Sequence, residues 1–282
     1  MAAMRKLLTD GQEETSDADP PQYGGTFLRT TRFQGLTRLL VASILLAGIS
    51  AGAWGQTFDE LLGNYRQRRS PVCVIYAHVL AVAEADPAGL ATLIRAGRDV
   101  WSVRLAGNRW AYVTRADVEK SIANGFSTGE PDNLLTIYSI ALSKRSEGYN
   151  AATGMLDYGR VDFGQFVGTG RWTLYDDKQG KGRSLSEGLD RLVREALPDG
   201  RPRNPSTVGF GFLDKKSIPD LVGAVQKSKL IGIHDFSVSR YDAAKKTVDL
   251  RNPHNPKEIL EVPIELLRRI PAGIDFMEPK AE

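Results

Sequence analysis

The chain has 282 residues, 41% of them hydrophobic and 25% charged, which is enough for one large domain or two small ones around a full core. Its formal charge of +3 is too small, without a concentrated patch, for a nucleic-acid binder, so no nucleic-acid partner is expected. A single cysteine excludes an internal disulfide and any cysteine-rich metal site.

Residues 1–35 begin with an acidic polar piece (Asp10, Glu13, Glu14, Asp17, Asp19), break at Pro20-Pro21 and continue with Arg29 and Arg32. No apolar period runs through them, and they read as a disordered tail. Residues 36–57 read as a signal peptide or membrane anchor. Leu39 to Ala53 carries no charge, has the length of a signal-peptide core and falls short of the about 20 residues a spanning helix needs. Arginines before it and Ala51-Gly52-Ala53 at its end fit export with cleavage after Ala53. A leader of more than 30 residues leaves two explanations: a start codon assigned too far upstream, or an uncleaved anchor that gives membrane association through residues 39–58. The alternative is a buried helix in a cytoplasmic protein.

Arg66-Gln67-Arg68-Arg69-Ser70-Pro71-Val72-Cys73 leads into the apolar run Val74 to Ala83. Pro71 suits a helix start and Pro87 a stop, and a run apolar on nearly all sides reads as a buried helix. Cys73 then stands at its positive end, where the dipole favours thiolate. Taken alone, Cys73 reads first as a small core residue, a reading that only a partner set elsewhere in the chain overturns.

Asp86 to Ala96 reads as a second short helix. Trp101–Leu105 and Arg109–Val113 alternate around Gly107-Asn108 as a β-hairpin, and Thr114 or Asp117 caps a helix towards Ala123. Leu134 to Ser143 is helical. Residues 150–183 are rich in Gly, Asp and Lys and read as irregular; Gly168-Thr-Gly170 lacks the Gly-Lys-Ser/Thr ending of a phosphate loop. Leu185–Leu197 is an amphipathic helix, Thr207–Phe212 a strand and Ile218–Val225 a helix. Leu230–Val238 and Thr247–Arg251 are strands around a turn at Tyr241–Lys246. Ile259–Val262 is a strand and Ile264–Leu267 a short helix. Helices first and strands later make an α+β chain, with no internal repeat.

A cysteine nucleophile needs a base, and the base an orienting group. His234 and Asn252, on neighbouring strands, are the candidates. A zinc site from Cys73, His78, His234 and His254 lacks ligand spacing, and His78 falls on another side of the helix from Cys73.

These residues resemble the calpain-type cysteine proteases of the papain-like superfold. Gln67 lies six residues before Cys73, His234-Asp235-Phe236-Ser237-Val238 is similar to the family's histidine strand, and Leu250-Arg251-Asn252-Pro253 to its asparagine segment. The helix ending in Gly148-Tyr149 is compatible as well. The resemblance covers roughly residues 58–276. It implies a two-lobed catalytic domain over 58–282, with a helical N-terminal half at about 58–165 and an antiparallel β C-terminal half at about 166–282. It further implies a Cys73 nucleophile, His234 as base and later acid, Asn252 as orienter, Gln67 as oxyanion donor, and a protein or peptide substrate. No cofactor is expected beyond the calcium that some of the family use, for which no acidic loop is visible. Pro71-Val72 and Val74 depart from the family around the cysteine, Asp235 replaces a small residue, and His254 replaces a tryptophan that shields the histidine–asparagine bond. The orientation of His234 is therefore expected to be weaker. A binding module without activity and a cysteine acyltransferase are the other readings.

Overall fold

The computed structural model describes residues 57–68, 72–126, 130–146, 149–152, 154–156, 171–177, 183–211, 213, 222–230 and 232–278. The tail, residues 36–56 of the export or anchor segment, Arg69 and Gly168-Thr-Gly170 lie outside these residues. All described elements belong to one unit, Ala47–Glu282.

Thr57 caps α1 (Phe58–Leu62): its side chain accepts from the Glu60 N–H while Glu60 accepts from the Thr57 N–H at 2.7 Å. Next comes α2 (Cys73–Ala85), in which Cys73 and every residue from Ile75 to Ala83 are buried. This matches a sequence with no polar stripe. Asp86 caps α3 (Pro87–Thr92), which is shorter than the sequence suggests. Ile94–Ala96 leaves the helix to form strand β1, because it pairs in register with β2 (Val100–Leu105). The two strands form a tight hairpin, closed by the Gly97 N–H donating to Val100 O at 2.8 Å, and this pairing outweighs the local helix propensity.

The expected hairpin is present: β2 turns through Ala106–Asn108 into β3 (Arg109–Thr114), with Gly107 and Asn108 both at positive φ. Thr114 caps α4 (Arg115–Ala123), with Asp117 completing a capping box. Asn133 caps α5 (Leu134–Arg145), which packs on α2 and on β2 and β3. Leu62, Tyr76, Leu80, Val103, Tyr138 and Ile140 are among the residues of this first hydrophobic cluster.

Beyond a small ladder of β4 (Tyr149–Asn150) and β5 (Met155–Leu156), the remaining strands build one antiparallel sheet. They are β6 (Arg171–Asp176), β7 (Ser206–Phe210), β8 (His234–Asp242), β9 (Thr247–Arg251), β10 (Ile259–Pro263) and β11 (Ala272–Glu278). Their order is β10-β9-β8-β7-β11-β6. The strand β6 falls in a stretch read as irregular, and β11 carries no reading in the sequence. Both are defined by pairing, β11 lying between β7 and β6. The helices α6 (Leu185–Glu195), α7 (Val222–Lys227) and α8 (Ile264–Leu267) accompany this sheet, and Leu189, Phe236, Leu250 and Ile274 are among its core. Residues 218–221 of the expected helix lie outside the described residues.

The β8 strand begins at His234, four residues later than the sequence suggests, because Ile233 takes a positive φ of 53° that no extended strand accommodates. It also runs on to Asp242, shortening the expected turn. The chain is thus a mixed α+β protein with antiparallel sheets. Its α2 helix packs on β8 and β7, and this contact sets the site.

Candidate active site

Three segments meet where α2 starts. The first is the end of β9: Asn252 directly follows Arg251, whose register partner on β8 is Ser237, three residues beyond His234. His234 and Asn252 therefore occupy the same end of adjacent strands, and His234 Nε2 lies 3.0 Å from Asn252 Oδ1. The His254 backbone N–H donates to the same oxygen at 2.9 Å, which fixes it as an acceptor. The His234 nitrogen facing it must then carry the proton, leaving Nδ1 unprotonated in the neutral ring.

The second segment holds Gln67. Its N–H donates to Pro253 O at 2.9 Å, and His254 Nδ1 lies 3.3 Å from Gln67 O, so its main chain is tied to the asparagine segment. The Gln67 side chain is buried. His254 also lies against the candidate base. Its ring stacks on His234, centroids 4.9 Å apart and planes 7° from parallel, while Phe236 meets the other ring edge-on at 4.9 Å. A flat imidazole thus covers the histidine.

The third segment is Cys73 itself, only 8% exposed at the first position of α2. Its Sγ donates to Asp235 Oδ2 at 3.4 Å, the residue after His234, and makes no hydrogen bond to the His234 ring. The thiolate expected from the helix start is corrected accordingly. Burial first, and then the Asp235 charge, push the thiol up to about 12, although the N–H groups of Asp235 and Val74 favour the anion. Burial pulls His234 down to about 4, against the opposing effect of Asn252. The resting pair is therefore a neutral thiol and a neutral imidazole.

The structure brings Gln67, Cys73, His234 and Asn252 to one place, and adds two carboxylates that the sequence left unassigned. Burial raises Asp235 to about 6, and burial together with the charges of Asp235 and Asp176 raises Asp275 to about 7. The alternation Ala272-Gly273-Ile274-Asp275-Phe276 is the signal that locates Asp275, a carboxylate opposite an apolar strand face. His78 is a core residue, its ring edge-on to Trp172 at 4.1 Å and its Nε2 4.0 Å from Asp275. Arg66 and Arg68 are exposed. Among the described residues, no three His, Cys, Asp or Glu side chains are grouped to hold a metal ion.

A latch ties the end of α2 to the sheet. Glu84 near the end of α2 accepts from Arg251 Nη2 at 2.7 Å, Arg251 Nε at 3.2 Å and Ser239 Oγ at 2.9 Å, with Arg251 lying over the Phe58 ring. Because Arg251 adjoins Asn252, the latch bears on the site.

No family model and no curated protein matches the chain.

Proposed function

We propose that the protein is a cysteine endopeptidase of the calpain type, built on a papain-like two-lobed domain. The observation that carries this reading is the His234–Asn252 pair at 3.0 Å, with Asp235, the next residue, touching the thiol of Cys73. With substrate bound, Sγ gives its proton to His234 Nδ1 and attacks the peptide carbonyl. The resulting oxyanion is met by the Cys73 N–H at the helix start and by the Gln67 side chain. His234 returns the proton to the departing amine. Water then hydrolyses the thioester, His234 taking its proton and restoring it to Sγ. Each step is carried by groups of the chain itself and by water.

The neutral resting pair fits a nucleophile that ionises only with substrate in place. The same observation favours a second reading, a domain of this kind that binds a peptide without cutting it. Incubating the purified protein with an unstructured protein substrate separates the two. Fragments from the wild type and none from Cys73→Ala support the peptidase; a substrate left whole by both defeats it. The proposal includes export or anchoring through residues 39–58, tested by the N-terminal mass of the protein from its native host.

A further inference from the structure

A cavity of about 270 Å³ opens beside the Cys73–Asp235 contact. Its wall follows from strand register. Asp235 faces Gly209, Gly209 faces Gly273 and Gly273 faces Asp176, so one row across four strands has two carboxylates with two glycines between them. Asp275 and Leu174, paired with each other, form the next row of the same wall. The glycines keep the trough open. A Cβ on Gly209 would lie 2.4 Å from Asp235 Oδ1, so the carboxylate occupies its place only because residue 209 has no side chain.

The described lining holds three carboxylates and no lysine, arginine or histidine. Asp275 receives no hydrogen bond among the described residues. Among the described residues the nearest basic group, His78 Nε2, stands 4.0 Å away, beyond hydrogen-bond reach, and burial keeps it uncharged near neutral pH. The carboxylates surround a space and do not converge on a point, which suits a cation carried on a chain.

We propose that this trough binds a positively charged side chain of the substrate, arginine- or lysine-like, and that Asp235 is the specificity-determining residue linking its occupancy to the thiol. The link to the thiol rests on the peptidase reading. An arriving guanidinium or ammonium pairs with the Asp235 carboxylate, which then no longer holds the Sγ hydrogen. Sγ turns and its proton passes to His234 Nδ1, one S–H bond breaking and one N–H bond forming. A substrate with an uncharged side chain leaves the thiol tied to Asp235.

Calorimetry on the full chain with N-acetyl-arginine amide and its uncharged isostere N-acetyl-citrulline amide tests the trough. The arginine amide is expected to bind about tenfold tighter or more, and Asp275→Asn to shrink that ratio. Equal binding of the two amides, or a ratio unchanged in Asp275→Asn, overturns the inference. The pH profile of Cys73 alkylation by iodoacetamide tests the link. Saturating arginine amide should move the wild-type midpoint down by about one unit or more and leave that of Asp235→Asn where it was. A wild-type midpoint that does not move overturns the link. Charge-selective binding by a protein that cuts no peptide removes the peptidase and keeps the trough; peptide cleavage without charge selectivity does the reverse.

Discussion

Asn252 Oδ1 is shared between the ring of His234, at 3.0 Å, and the backbone N–H of His254, at 2.9 Å. The second contact makes the first directional, since an oxygen held by a backbone donor is not free to exchange places with its amide nitrogen. Replacing Asn252 by Ala should leave His234 free to rotate and lower kcat by about a hundredfold. Because the Asn252 bond is what holds the His234 pKa up against burial, the acidic limb of the pH–rate profile should also move to lower pH. Steady-state kinetics across pH checks both. A variant with unchanged kcat would mean that Asn252 does not orient the base.

The latch at Glu84 predicts a stability effect. Its side chain is 18% exposed and that of Arg251 11%, so removing one charge strands the other in a poorly solvated place. Glu84→Gln should cost about 3 kcal/mol in urea unfolding. A loss under about 0.5 kcal/mol would place the pair with ordinary surface ion pairs.

Ile233 predicts a gain. A β-branched residue at φ 53° is strained by about 1–2 kcal/mol, and Ile233, 55% exposed, gives up little burial when replaced. Ile233→Asn should raise stability by about 1 kcal/mol, measured by thermal unfolding, since Asn tolerates this backbone region. An unstable variant would show that the isoleucine side chain makes contacts that outweigh its strain.

Asp275 predicts a pH dependence whose sign follows from its raised value. A carboxyl at about 7 in the fold and near 3.8 when unfolded contributes stability that is fully present below 3.8 and lost as pH rises through 7. His78 and His234, both lowered to about 4, act oppositely: their contribution is present above 6.5 and lost as pH falls through 4. The wild type alone therefore shows partly cancelling trends. The difference isolates the aspartate: Tm of Asp275→Asn minus that of the wild type should climb between about pH 4 and 7 and level off above. A difference that stays flat across this range would mean that Asp275 titrates like an exposed carboxyl.

Strong local signals were legible in the chain. The hairpin around Gly107-Asn108, the cap at Thr114 and the buried α2 helix each follow from near neighbours. The strands β6 and β11 were not legible, because Trp172 and Ile274 adopt extended backbone through partners far along the chain, and β1 was read as the end of a helix because Ile94 to Ala96 continues a helical stretch until the neighbouring β2 pairs with it. At the site, Cys73, His234 and Asn252 could be picked out by residue type and order, and Gln67 by the family resemblance alone. Asp275 could not, since its strand went unread, and Asp235 stood in plain view as an odd neighbour of His234 with no role assigned.

The sequence by itself determined which residues are candidates for nucleophile, base and orienter, and that Cys73 begins a helix, because these depend on side-chain chemistry and short-range backbone preference. Only the tertiary structure decided what state that chemistry rests in. The helix start favours a thiolate, but packing α2 on β8 buries Cys73 and sets Asp235 against its sulfur at 3.4 Å. Desolvation and a neighbouring negative charge both come from contacts across the chain, and here they outweigh the local dipole.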